Sequence, residues 1–459
     1  MTRAPGDAEA VVERALARAR AAGAVQADAV LVSSESLETR VRGEEIDYVT
    51  QARERTLGVR AFAPGAKGLR VAITSTSDLS PDAVDRTVDA AVALARATAE
   101  DPAAGLPEGG FAGDAPDLAL LDPADRGVSV DARIAAARAA EAAARAVDPR
   151  IVNSEGSQAS SSFHAVVYGS TAGFLAGYES ASHGLFCEPI ARENGANGGG
   201  MQRDWWMSAS RRLAGLEPAP EVGRRAAERA LRRLGARRIP TCEVPVIFEP
   251  TTARSFLGHL LACVSGYAIY RQASFLAEKC GEPVASPLVT VIDDGRLPGG
   301  LGSKPFDGEG QPTRRNVIVR AGRLEGWLLD TYSARKLGLA STGNAARGAA
   351  SAPGVGATNL WLEPGTKSLD ELVAETERGL LVTELIGQGF HPVTGDYSRG
   401  AAGHWIEGGR IVHPVEEVTI AGRFDEMLAA IDGVGNDLVW LGAVAAPSLR
   451  VARMTVAGA

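Results

Sequence analysis

Four carboxylates punctuate one glycine-rich stretch of this chain: Asp293, Asp294, Asp307 and Glu309. The stretch reads VIDDGRLPGGLGSKPFDGEGQPTRR and also holds Ser303 and Lys304. Acid pairs so placed can do general acid–base work or offer oxygen ligands to a hard cation. Asp-Gly-Glu-Gly does not fit an EF-hand loop, which needs its Gly at the sixth position and a Glu at the twelfth. The alternative is structural, since acidic side chains beside glycines accept hydrogen bonds from nearby N–H groups and form turns. Gly299–Lys304, GGLGSK, resembles a phosphate loop only superficially. That motif ends in Gly-Lys-Ser/Thr and opens a helix, whereas Pro305 follows Lys304 here. Asp330, Tyr332 and Asn344 lie downstream in LLDTYSARKLGLASTGNAARG.

His259 and Cys263 stand four apart in a helical pattern, so they share a face. Both can bind zinc, but two ligands do not make a site, and a buried thiol beside a partly exposed His is the plainer reading. His391, His404 and His413 show no ligand spacing, and no G-x-S-x-G elbow occurs. Cys187, Cys242, Cys263 and Cys280 lack CxxC spacing and are too few for a disulfide scaffold. Free thiols in a reducing cytoplasm are expected.

The elements that position these residues follow from periodicity. Helices are expected at 8–23, 82–98, 129–147 and 219–235, with Ser80-Pro81 opening the second. Strands are expected at 29–32, 37–41, 46–49, 56–62 and 68–73, and again near 151–152, 161–168 and 174–182. Helix, strands and helix thus occur twice, which points to an internal repeat within residues 1–240. Residues 99–128, rich in Pro, Gly and Asp, read as a long connection, and Asn194 to Gly200 as a mobile loop. Ile239-Pro240 ends this domain. Residues 241–459 begin with a strand at 243–248 and a helix at 252–268. Strands at 288–292 and 358–363, a helix at 368–378, a hairpin turning at Gly408-Gly409 and a helix at 423–430 follow. The fold class is α+β: an N-terminal α/β domain with helices on a mostly antiparallel sheet, then a β-rich domain.

The chain has 459 residues and a net charge of −8, which argues against nonspecific nucleic-acid binding. No run approaches a membrane span, and the charged N-terminus lacks the apolar core of a signal peptide.

Long, ordered segments carry a family resemblance. SGYAIYRQASFL, VIDDGRLPGGLGSKPFDGEGQPTRR, LLDTYSARKLGLASTGNAARG, HPVTGDYSRGAAGHWIEGGRI, PVEEVTIAG and APSLRVARMTVAG resemble the TldD/PmbA family. These proteins are also described as modulators of DNA gyrase, and the family is a group of zinc metallopeptidases. The resemblance covers most of residues 243–459 and is strongest to the PmbA (TldE) branch. The N-terminal half matches more loosely, best at MQRDWW, Met201–Trp206. In the TldD-like branch an H-E-x-x-x-H helix and a later cysteine hold zinc; the PmbA-like branch lacks them and is the partner subunit. Anchored on YRQASF, the metal helix falls on Gly258–Cys263. Gly258 and Cys263 occupy the two His positions, His259 occupies the Glu position, and no cysteine follows Cys280.

The resemblance therefore implies no cofactor in this chain and zinc in a TldD-like partner. The substrates it implies are unfolded or leader peptides, including precursors of ribosomal peptide antibiotics. Ser303, Asp307, Glu309, Asp330, Tyr332, Asn344, Asp396 and Arg399 are the expected cleft or interface residues, each equally readable as loop packing. Two alternatives stay open. One is an active hydrolase with an atypical His259/Cys263 metal site. The other is a non-enzymatic, homodimeric peptide-binding or regulatory protein.

Overall fold

The computed structural model describes residues 6–193 and 200–458. The expected Gly/Asn loop therefore lies, apart from Gly200, outside the described residues.

The helix Gly6–Ala21 buries Val12, Ala15, Leu16 and Ala19, a spacing of three and four. Its outer face sends Arg14 and Arg18 to Asp85 (2.7 Å) and Asp89 (2.5 Å) on the helix Pro81–Ala97. Helices Val130–Val147 and Ala219–Arg232 pair in the same way over the other half of the sheet, around Ala137, Ala140, Val222 and Ala226. Small Ala faces let these helices lie close together.

The strands run much longer than their apolar segments. Residues 29–32 and 37–41 fuse into Gln26–Arg42, and 46–49 and 56–62 into Glu45–Pro64. Likewise 151–152 and 161–168 belong to Ile151–Ser170, which pairs with Leu175–Arg192. The intervening Ser, Thr and Gln residues are strand residues; buried Ser157 Oγ has no partner among the described residues, while several other buried hydroxyls of these strands are satisfied inside. Buried Ser161, for example, bonds His183 Nδ1 (2.8 Å) and accepts from Arg133 Nε (3.1 Å).

Eight strands form this antiparallel sheet, with Gln26–Arg42 and Ile151–Ser170 at its centre. Helices cover one face. The other face meets C-terminal loops, where Val30, Tyr168 and Phe174 pack on Phe306 and Ala349. The approach is close: a Cβ on Gly58 would lie 1.6 Å from the Ala349 carbonyl oxygen. Residues 99–128 lace the two halves together. Gly299 N–H bonds Leu118 O and Ala112 N–H bonds Gly310 O on one side, while Ala181 N–H bonds Leu120 O on the other.

In the C-terminal half, five strands close a ring: Cys242–Phe248, Arg378–Ile386, Asp396–Glu407, Arg410–Arg423 and Leu449–Ala457. Closure through Thr419–Ala421 and Thr455–Ala457 shortens the open edges of that sheet, and Ile431–Val434 adds a sixth strand beside Leu449–Val451. A second sheet orders Arg323–Leu324, Arg315–Arg320, Val291–Asp294, Leu360–Leu362 and Val444–Ala445. The helix Pro250–Val264 packs against the barrel through Phe256, whose ring lies 4.8 Å from Phe248 and 5.5 Å from Phe424.

Three expectations are corrected here. The helix expected at 252–268 ends at Val264, because Ser265 is extended and bridges Leu328; a short helix, Gly266–Tyr270, follows. The helix expected at 368–378 stops at Ala374, since Arg378–Ile386 is a barrel strand paired on both sides. The strand expected at 288–292 begins at Val291, and Leu288 is exposed. The hairpin turn at Gly408-Gly409 stands as expected, with φ of 57° and 70° suited to a two-residue turn.

Candidate functional site

The strand Val291–Asp294 delivers Asp293 to a fully buried position. Its Oδ1 accepts from Thr358 N–H (2.6 Å) and Oγ1 (3.0 Å), and its Oδ2 from Asn344 Nδ2 (2.7 Å). Burial raises the Asp293 pKa against these bonds. Asn344 in turn accepts from Thr342 Oγ1 and Asn316 Nδ2. Ser303 donates to Leu297 O and accepts from Asn359 Nδ2. Asp307 receives three backbone N–H groups, from Glu309, Gln311 and Ala345. Burial, and then the Glu309 charge, push its carboxyl up to about 7. The hydrogen bonds of Ser303 and Asp307 thus run within the loops, and those of Asn344 tie its loop to the strands below, so all three fix loop shape.

Glu309, Asp330 and Tyr332 instead converge on one cavity of about 370 Å³ between the large sheet and the loops, together with Arg60 and Tyr267. Glu309 accepts from Thr331 N–H (2.9 Å) and Arg60 Nη2 (3.3 Å). Asp330 caps the helix Thr331–Leu337, its Oδ1 accepting from Ser333 N–H and Oγ. Its Oδ2 is buried without a hydrogen-bond partner among the described residues. Tyr332 donates to Asp101 Oδ2 (2.6 Å) and stacks on Tyr267, with centroids 5.8 Å apart.

Behind this wall sits an ionic cluster. Asp28 accepts from Arg60 Nη2 (2.5 Å), Arg347 Nη1 (2.8 Å) and Tyr168 Oη (3.1 Å). Burial alone would raise Asp28, but Arg347 and Arg60 outweigh it and hold the carboxyl below its ordinary value. Sequence reasoning passed over Arg60, although an Arg inside the apolar alternation LGVRAFA was a readable signal.

Arg399 lies elsewhere, beside the helix Pro250–Val264, on a cavity of about 440 Å³ that also meets Arg254 and Gly258. Asp396 is exposed, lines neither cavity and accepts from Thr394 Oγ1. His391 sits in the same exposed turn, and His413 is partly buried on the strand Arg410–Arg423.

All three segments of the chain match family profiles. Residues 27–95 match PmbA/TldA metallopeptidase domain 1, 123–234 the central domain and 241–458 the C-terminal domain. The metalloprotease PmbA of Escherichia coli O157:H7 is 39% identical over 93% of this chain and 92% of its own length. The chain belongs to the PmbA/TldD metallopeptidase family. A solved protein of Bacteroides thetaiotaomicron, provisionally named a modulator of DNA gyrase, superposes with a TM-score of 0.90. It is 26% identical and covers 99% of this chain and 100% of its own. TldE of Thermococcus kodakarensis shares the fold, with a TM-score of 0.86 at 23% identity over 98% of this chain and 100% of its own.

PmbA/TldD membership raises the question of zinc, and the helix Pro250–Val264 gives a poor donor set. His259 is packed among Phe390, Tyr397 and Phe424, at centroid distances of 4.5, 5.8 and 5.7 Å. Its Nε2 is buried without a partner among the described residues, and burial lowers its pKa to about 4. Cys263 is buried, and burial pushes its thiol up to about 12, away from the thiolate a metal needs. Among the described residues no three His, Cys, Asp or Glu side chains gather as a metal cluster.

Gly258 is exposed, and a Cβ there would meet nothing within 4 Å. Packing therefore does not require glycine. Gly258→Ala is expected to stabilise the chain by about 0.5–1 kcal/mol, because mid-helix glycine costs backbone entropy. Thermal or urea unfolding checks this; a loss of stability would mean the glycine is held by something other than the helix.

Proposed function

We propose that this chain is the PmbA/TldE-like, non-zinc-binding subunit of a heteromeric zinc metallopeptidase. A TldD-like partner supplies the metal and the general base that activates its water. The observation that carries this reading is the donor set on the helix Pro250–Val264. Gly258, His259 and Cys263 stand where the family's metal helix is expected, and the His259 ring is enclosed by aromatics. The substrate is an unfolded or leader peptide, held through its backbone by strand addition. The barrel strands pair into a ring, so the C-terminal edges open to such a strand are short, Val444–Ala445 and Ile431–Val434 among them. Four free cysteines and an acidic net charge fit a cytoplasmic protein that does not bind nucleic acid.

The test is reconstitution with a TldD-like chain bearing H-E-x-x-x-H. Peptide cleavage is expected only from the mixture, with zinc at one equivalent per partner and none on this chain. Cleavage by this chain alone, together with stoichiometric zinc on it, would overturn the reading.

A further inference from the structure

The cavity beside the helix Pro250–Val264 gathers hydrogen-bond donors, several of which find no acceptor among the described residues. Thr251, Arg254, Ser255 and Gly258 are spaced along one helical stripe facing it. Across from them stand Thr383 and Arg399, on the barrel strands Arg378–Ile386 and Asp396–Glu407. Thr383 falls at a register shift between Val382 and Glu384, a bulge of the kind that re-aims a side chain. Ser255 Oγ, Thr383 Oγ1 and Arg399 Nε are each buried without a hydrogen-bond partner among the described residues. Neither Arg254 nor Arg399 has an ion pair with any described carboxylate. Burial lowers Arg254 from its ordinary value with no acid to offset it. The one acid on the wall, Glu384, is engaged by Arg233 at 2.5 Å.

Unmade hydrogen bonds of buried polar groups are costly, so several around one cavity mark where a ligand's acceptors belong. Two arginines without acids set the sign: the ligand is anionic. Apolar side chains of Trp205, Leu385 and Val444 line the rest of the cavity. They suit an uncharged side chain attached to the anion. Val444 also lies on the edge strand Val444–Ala445, where an added strand would run.

We propose that this cavity binds the C-terminal carboxylate of a peptide, with Arg254, Arg399, Ser255 and Thr383 as its donors and the terminal apolar side chain against Trp205, Leu385 and Val444. Planar guanidinium groups match a carboxylate's two oxygens. The inference deepens the peptide-subunit reading by fixing which end of the peptide this chain holds. It is tested without catalysis, so loss of cleavage in the reconstituted mixture would strike that reading alone.

The experiment is equilibrium binding to the full chain, by calorimetry or Trp fluorescence. The ligands are a short peptide ending in Leu as the free acid, its C-terminal amide, an amidated peptide carrying Glu, and inorganic phosphate. The free acid is expected to bind at least tenfold tighter than the amide. Arg254→Gln and Arg399→Gln are each expected to erase that difference, and Ser255→Ala to reduce it, with circular dichroism unchanged. Equal binding of acid and amide, or no binding of the acid, would overturn the proposal. So would a preference for phosphate or the Glu peptide over the free acid, or variants that keep the difference.

Discussion

Arg60→Met is expected to cost about 3–5 kcal/mol of stability, because it leaves buried carboxylates without their counter-charge. Arg60 is buried on the large sheet and contacts both Asp28 and Glu309. Burial disfavours its charge, yet those two acids raise its pKa above the ordinary value. With methionine in its place, Asp28 keeps only Arg347 as a basic partner and Glu309 loses the cation across the domain boundary. Volume is nearly conserved, so the loss is electrostatic rather than a cavity. Equilibrium urea unfolding of the full chain measures it. The double variant Arg60→Met/Glu309→Gln separates the causes: it should recover part of the loss, since it removes the acid left without a cation along with the base, while Asp28 keeps Arg347. A single-variant effect under 1 kcal/mol would show that the cluster does not fasten the two halves.

Acid should loosen the same junction from a second point. His404, on the barrel strand Asp396–Glu407, is buried and bonds the carbonyl of Arg232 at the end of an N-terminal helix (3.0 Å). Burial, then the nearby Arg232 charge, lower its pKa to about 4. A free imidazole titrates near ~6.5. The folded value lies below the unfolded one, so stability is full above about pH 6.5 and falls as pH drops toward 4, by about 3 kcal/mol. His259, also lowered to about 4, acts in the same direction but is less enclosed. Asp307, pushed up to about 7, works the opposite way over that window. The comparison with His404→Gln therefore isolates the effect. The amide can still donate to Arg232 O but does not titrate, and the stability difference between pH 7 and 4 should shift by about 3 kcal/mol. An unchanged acid dependence in the variant would mean that His404 binds its proton equally well folded and unfolded.

Periodicity made the helices legible because each buries a stripe at three and four spacing, as in Val12, Leu16 and Ala19. The long strands were read in pieces, because Ser33–Ser36 and Ser157–Ser162 lack the apolar alternation expected of strands. Neighbouring strands and polar partners carry those stretches, and neither is visible locally. The strand Arg378–Ile386 was lost for a related reason: its apolar run adjoins the helix Leu369–Ala374, and the polar residues between them continue a helical pattern up to Gly379. At the candidate site, residue type identified Glu309, Asp330 and Tyr332, which do share a cavity. It could not separate them from Ser303, Asp307 and Asn344, whose polarity is turned into the loops. Arg254, Ser255 and Thr383 went unread because their significance lies in the bonds they do not make.

The ring of strands in the C-terminal half sets an order of assembly during synthesis. Cys242–Phe248 is made early, yet its neighbours are Arg378–Ile386 and Leu449–Ala457. Until those emerge, this strand has only the following helix to pack on, through Phe248 and Phe256, and closing so long a loop delays its pairing. The large sheet upstream is built mostly from adjacent hairpins and can form first. A nascent chain would then present a finished sheet tethered to an exposed apolar strand, the stage at which a chaperone holding that segment would matter most.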